Sequence, residues 1–420
     1  MEEEAVALVQ SMLDFPAFAG AQIRIMPDVH MGKGITIGFS APLGQFVNPN
    51  HVGVDIGCTV STMELSSVIP AERYAEFERM VGESIPTGFH INDREIIDRQ
   101  EFCAFINEQY QQVCKDFPGM INPETIIDKK FISAFIKRIG MTVESFFRAL
   151  PSLGGGNHFL EYGETEDGRG FFTAHCGSRN LGVRVCNYWV RKAKSSCSAI
   201  AEEDFQNVVE EVKAGCPDRT QWQRLIMEAK QRLREEEYLS DYLGGANLRG
   251  YLSDMVIAQA YARFNHIMIH RLVGGILQEH FGIGLENEIF TTHNYIDFRD
   301  NPMIRKGAIR AYENELCIIP FNMRDGLAIC KGKSNPDWNY TAPHGAGRIL
   351  SRTAAKMQLR LEDFQNTMSK VYSTTVCGGT LDEAPMAYKP MDEIVRLIEP
   401  TVDILYFVKP KINIKATEQE

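Results

Sequence analysis

Residues 51–65 read HVGVDIGCTVSTMEL. Val52, Val54, Ile56 and Val60 give the run a buried-strand character, and Gly53 and Gly57 interrupt it where a chain turns. An acid and a thiol, Asp55 and Cys58, stand at what reads as the end of a core strand. A carboxylate there needs a partner, because an uncompensated charge is costly in an apolar interior. The plainer alternatives are a turn carboxylate at Asp55 and a small core residue at Cys58.

Outward from this run, residues 21–65 alternate short apolar runs with Gly and Pro, the pattern of strands and tight loops. Residues 70–150 turn helical, and residues 153–186 return to strand and glycine loop. Residues 253–281 predict one long helix, strands resume near 289–330, two helices follow, and DILYFVKPKINIK predicts a closing strand pair. Residues 200–240 are rich in Glu, Lys, Gln and Arg and predict an exposed helical hairpin. No internal repeat is present. Strand clusters separated by helical blocks predict a single mixed α/β (α+β) body over 1–420, with a helical hairpin insertion at 198–245 and a central cleft.

The chain has 420 residues, 44% of them hydrophobic, with a formal net charge of -11. That is ample for a large core and argues against a protein held to nucleic acid by bulk positive charge. It leaves room for a local basic pocket. The run of acids in MEEEAVALVQSMLDF is unlike a signal peptide, and no 18-residue apolar run occurs, so a cytoplasmic protein with no membrane partner is expected. The ten cysteines show no CxxC spacing, which fits thiols in a reducing compartment.

Four histidines share a setting: His158 in GGGNHFLE, His175 in TAHCGSRNLG, His293 in TTHNYIDF and His344 in APHGAGR. Each lies at the end of a strand-like run beside Gly or Asn, where a ring nitrogen can face a cleft. Any one of them alone is as well read as a hydrogen-bonded core histidine. Together with Asp55 and Cys58 they form a transition-metal donor set. His266 and His270, four apart on the long helix, lack the glutamate of HExxH and read as packing residues. The loops LGGGNH, HCGSRNLG and HGAGR can cradle phosphate, with Arg179 and Arg348 beside them. None matches a Walker or dinucleotide fingerprint.

In this order, MPDVHMGKG (26–34), GVDIGC (53–58), GGGNHFLE (154–161), HCGSRNLG (175–182), HNYI (293–296), RKGA (305–308), HGAGR (344–348) and DEAPMAYK (382–389) resemble the RtcB family of RNA-splicing ligases. The resemblance implies an enzyme that joins an RNA 3′-phosphate or 2′,3′-cyclic phosphate to a 5′-hydroxyl, in tRNA splicing or RNA repair, with GTP as co-substrate and two Mn²⁺ ions. It implies His344 as the guanylated nucleophile and Asp28 as the carboxylate that orients it. Asp55, Cys58, His158, His175 and His293 match metal ligands, with Cys58 bridging. Asn157, Glu161, Tyr388 and Lys415 match nucleotide contacts, Tyr388 by stacking on guanine, and Arg179 and Arg348 match RNA-phosphate contacts. The chain departs from the family at PFNMRDG (320–326), where the usual loop is PGSMG. Phe321, Asn322 and Arg324 there predict either an opened loop or a triphosphate contact through Arg324. A metal-dependent phosphodiesterase and a non-catalytic RNA-binding relative are the competing readings.

Overall fold

The computed structural model describes residues 3–13, 15–123, 125–236, 241–299 and 301–417. The helical block predicted at 70–150 resolves into Tyr74–Ser84, Arg99–Asp116, Lys129–Arg138 and Val143–Arg148. Local chemistry starts the last three. Asp98, Asp128 and Thr142 accept from the backbone N–H of Gln100, Phe131 and Ser145, removing donors that a helix start leaves unpaired. The long helix begins earlier than its periodicity suggests, at Gly245, and runs to Ile276 before a π turn at Leu277–Phe281. In the region of the predicted hairpin, helices Asn180–Gly215 and Trp222–Glu236 pack together, the first running on from the glycine loop of HCGSR without a break. Residues 237–240 of the predicted hairpin lie outside the described residues. Among the described residues no helix is long and apolar enough to cross a membrane.

The strands, in chain order, are β1 Arg24–His30, β2 Ile37–Pro42, β3 Phe46–Val47, β4 Thr59–Leu65, β5 Phe159–Glu164, β6 Gly170–Cys176, β7 Leu243–Gly244 and β8 Leu285–Thr292. They continue with β9 Tyr295–Asp297, β10 Met303–Lys306, β11 Ala308–Arg310, β12 Leu316–Asn322, β13 Gly326–Gly332, β14 Thr341–Pro343 and β15 Val402–Ile414. Seven form one sheet in the order β12-β13-β15-β5-β6-β4-β8, and four form a second in the order β1-β2-β10-β9. The edges of the large sheet meet, with the Ile318 N–H donating to Thr291 Oγ1 at 3.0 Å. This nearly closed sheet holds Val60, Phe171, Ile318, Leu327, Ile329 and Val408 inside. Its outer face packs Leu160, Tyr162, Phe172 and Ala174 against Phe77, Val81, Ile269 and Val273 of two helices. Because both faces are covered, β6 (GFFTAHC) is buried at all seven positions and reads as a continuous apolar run rather than an alternation. Each fully buried Phe or Leu contributes about 1.5–3 kcal/mol.

Two sequence expectations are corrected. HVGVDIGC is not a strand: β4 starts at Thr59, after Cys58. Gly57 has a φ of +71°, so the chain turns there in a conformation an L side chain disfavours. DILYFVKPKINIK is one strand, not a pair. Its first half pairs β13, its second half pairs β5, and a register shift at Pro410/Ile412 accommodates the proline, which has no N–H to give a ladder.

Candidate metal and nucleotide site

The order β5-β6-β4-β8 places four strands side by side, and the candidate ligands cluster at one end of them. His158 immediately precedes β5, His175 is the penultimate residue of β6, Cys58 precedes β4 and His293 follows β8. Register aligns them: Val60 faces His175, and Thr59 faces both Cys176 and Thr292. The Cys58 N–H donates to the Asp55 carbonyl at 3.3 Å, and the His293 N–H donates to the Cys58 carbonyl at 2.8 Å. A tight turn thus sets Asp55 beside Cys58, and one backbone bond ties that turn to His293.

Cys58 Sγ lies 3.4 Å from His158 Nε2 and 3.3 Å from His175 Nε2. His158 Nε2 lies 3.0 Å from Asp55 Oδ2, and His175 Nε2 lies 3.4 Å from His293 Nε2. The donors fall into two triads, Cys58/His175/His293 and Asp55/Cys58/His158, each with its donor atoms within 4.8 Å of one another. Cys58 belongs to both. Burial, reinforced by neighbouring imidazoles, holds His175 and His293 well below the ordinary histidine range, so both present neutral nitrogen. Burial and the adjacent Asp55 carboxylate push the Cys58 thiol well up. A cation reverses that preference, since a coordinated thiol gives up its proton. Imidazole, thiolate and one carboxylate suit a transition ion, and these residues fit a metal site.

His344 follows β14, which pairs β11 with Pro343 opposite Ala308. Its Nδ1 lies 2.6 Å from Asp28 Oδ2, and its backbone N–H donates to the same oxygen at 3.2 Å. Asp28 is fully buried in β1, and Lys389 Nζ donates to the Pro27 and Val29 carbonyls on either side of it. The His344 ring centroid is 4.8 Å from that of His293. The nucleophile candidate and the ligand cluster therefore share one site.

A cavity of about 950 Å³ opens there. Asp55, Cys58, His175, His293 and His344 line it together with Asn157, Glu161, Arg348, Tyr388 and Lys415. Burial pushes the Glu161 carboxyl up to about 8, although the Asn413 amide donates to it at 2.8 Å. Lys415 Nζ reaches Glu383 Oε2 at 3.1 Å and Tyr388 Oη donates to the same oxygen at 2.7 Å. The Arg348 guanidinium lies over the Tyr388 ring, 5.0 Å from its centroid. Arg179 stands apart from the cavity. Its guanidinium donates to Ser152 Oγ at 2.9 Å and the Gly88 carbonyl at 2.6 Å, so it clamps the loop before GGGNH.

The PFNMRDG segment neither opens nor frees Arg324. Phe321 turns inward, 2% exposed, and packs against Phe407. Asn322 Oδ1 accepts from the N–H groups of Arg324 and Asp325, and the Arg324 guanidinium pairs with Asp325 through two bonds of 2.8 and 2.7 Å. The segment is a closed hairpin turn. His266 and His270 are buried, sharing Ser61 Oγ at 2.6 and 2.9 Å, a packing network as the missing HExxH glutamate suggests.

Glu383 is not marked by the sequence as a site residue. It is 3% exposed and accepts from Arg348, Arg352, Tyr388 and Lys415. Burial pushes its carboxyl up, but Lys415, Arg352 and Arg348 outweigh that and hold it at about 2. Its position inside DEAPMAYK was the available signal. His30, on the cavity wall, is not marked either.

A family profile described as "tRNA-splicing ligase RtcB" matches residues 10–416. The RNA-splicing ligase RtcB of Escherichia coli K12 is 26% identical over 422 aligned residues, covering 95% of this chain and 91% of that protein. The tRNA-splicing ligase RtcB of Archaeoglobus fulgidus is 24% identical, covering 95% and 88%. The RNA-splicing ligase RtcB of Mycobacterium tuberculosis is 24% identical, covering 88% and 90%.

Proposed function

The chain belongs to the RtcB family of RNA-splicing ligases, and we propose that it joins an RNA 3′-phosphate or 2′,3′-cyclic phosphate to a 5′-hydroxyl through a His344–GMP intermediate. It is an enzyme that ligates RNA ends, in tRNA splicing or RNA repair. The nucleotide, the metal, the end chemistry and the residue roles are our reading of the cavity. We further infer that 1–420 works as one catalytic body, with 198–245 an insertion within it.

The observation that carries the reading is the 2.6 Å contact of His344 Nδ1 with Asp28, in the cavity that also holds the ligand cluster. A carboxylate can only accept, so Nδ1 carries the hydrogen and Nε2 keeps its lone pair. That nitrogen attacks the α-phosphorus of GTP, the bond to the bridging oxygen breaks, and pyrophosphate leaves. A 2′,3′-cyclic end is first opened by water to the 3′-phosphate; an oxygen of that phosphate then takes GMP from His344, and the 5′-hydroxyl attacks the 3′-phosphorus and displaces GMP. Asp55, Cys58, His158, His175 and His293 would hold two Mn²⁺ ions, with Cys58 common to both, and the bound ions supply positive charge against the phosphates. Asn157, Glu161 and Lys415 contact the nucleotide, Lys415 at the base, Tyr388 stacks on the guanine, and Arg348 takes RNA phosphate.

The test is incubation with α-labelled GTP and Mn²⁺, followed by denaturing separation. A covalent adduct that disappears in His344→Ala supports the reading. No adduct under any divalent ion, with metal-dependent release of RNA ends instead, replaces it with a phosphodiesterase.

A further inference from the structure

His30 closes β1 two residues after Asp28, at the end of a stretch where the register with β2 shifts. Asp28 holds His344, and the His30 side chain forms part of the same cavity wall. His30 Nδ1 lies 2.9 Å from the Asp28 carbonyl oxygen. A carbonyl only accepts, so Nδ1 carries the hydrogen, and in a neutral ring Nε2 is left as a lone-pair acceptor. Burial, with the nearby His344 adding to it, lowers the His30 pKa to about 4 and keeps the ring neutral. Among the described residues nothing donates to Nε2. The fold around His344 therefore places two imidazoles alike in tautomer, one anchored on a carboxylate and one on a peptide carbonyl. The carboxylate-held ring is the stronger nucleophile, because only it can share its developing positive charge with an anion. The other ring is suited to accepting a hydrogen bond.

We propose that His30 Nε2 is the hydrogen-bond acceptor for a sugar hydroxyl of the substrate, above all the 5′-hydroxyl of the RNA strand to be joined. This rests on the functional reading given above. A lone pair on a neutral ring attracts an O–H and repels a phosphate oxygen, so the same wall that seats a hydroxyl-ended strand disfavours a phosphate-ended one. The ribose hydroxyls of the nucleotide share this chemistry, and the two sources separate in kinetics.

The experiment compares wild type, His30→Phe, His30→Asn and His30→Gln in two half-reactions: formation of the His344 adduct from GTP, and joining of a 5′-hydroxyl strand by pre-guanylylated enzyme. Phe and Asn remove an acceptor at that reach, whereas Gln places an amide oxygen near it. Loss of one such bond is expected to cost about tenfold in kcat/KM, mainly through KM, with recovery in His30→Gln. A rise in KM for the 5′-hydroxyl strand assigns the contact to the acceptor RNA. A rise in KM for GTP that vanishes when the comparison is repeated with 2′-deoxy-GTP or 3′-deoxy-GTP assigns it to the nucleotide ribose. Equal losses in all three variants, or unchanged KM for both substrates, overturn the proposal. Should His30→Phe fail to fold, His30→Asn against His30→Gln decides. Absence of an adduct in wild type would overturn the functional reading instead.

Discussion

Asp28 is fully buried, and one of its oxygens accepts both the ring N–H and the backbone N–H of His344. Asp28→Asn keeps the shape and removes the charge that supports a developing imidazolium. Adduct formation with labelled GTP is expected to fall by about a hundredfold or more, while the far-ultraviolet circular dichroism stays that of wild type. Glu383 is the second residue on which the site turns. Its carboxyl is depressed from 4.5 to about 2 by the cations around it. A depressed acid stabilises the fold above its unfolded value and loses that contribution as pH falls through the folded one, so its share vanishes between about pH 4.5 and 2. Glu383→Gln leaves Arg348, Arg352 and Lys415 without their common partner. It should cost about 3–5 kcal/mol at neutral pH, and acid unfolding of the variant should show a shallower limb in that window. An unchanged limb would show that other carboxylates control acid stability.

The elements that matter most are short, and each is fixed by backbone geometry. Gly347, at a φ of +74°, brings the HGAGR loop so close to β1 that an added Cβ would lie 2.2 Å from the Asp28 carbonyl oxygen. Gly347→Ala must push that loop away from Asp28. The expected result is loss of the His344 adduct with a fall in the thermal midpoint, and retention of full adduct formation would refute the close approach. β15 shows how an element's context overrides its sequence. Pro410 looks like a break, but a bulge places it where no ladder N–H is required. Its carboxyl end, with Lys415 just beyond, is thereby carried to the cavity wall.

At the scale of the molecule, five donors from separate strand ends and a turn meet only when the large sheet is assembled. Metal binding and folding are coupled in such a case. At a hundredfold excess over Kd, a bound ion adds about 2.7 kcal/mol to stability. Mn²⁺ should therefore raise the thermal midpoint, a chelator should lower it again, and Cys58→Ala should abolish the rise; a rise that persists in Cys58→Ala would place the ion elsewhere. Much of this was legible beforehand. The strand and helix blocks show in the apolar periodicities, and the sites are marked by glycine-bounded His, Asp and Cys, because a ligand at a strand end needs a turn that lets the backbone pass. Other features were not legible. HVGVDIG looks like a strand because Val52 and Ile56 are as fully buried as strand residues, although Val54 between them is exposed. The role of Glu383 is invisible locally, since its cationic partners Arg348, Arg352 and Lys415 lie 31 to 35 positions away. Residue types by themselves determined that this chain carries a transition-metal donor set, and the order of its motifs determined its resemblance to the RtcB family. Only the tertiary structure decided that Cys58 lies in both triads, that Arg179 serves the loop rather than the cavity, and that Arg324 is spent on Asp325, because each of these depends on distances between strands that register and sheet closure set.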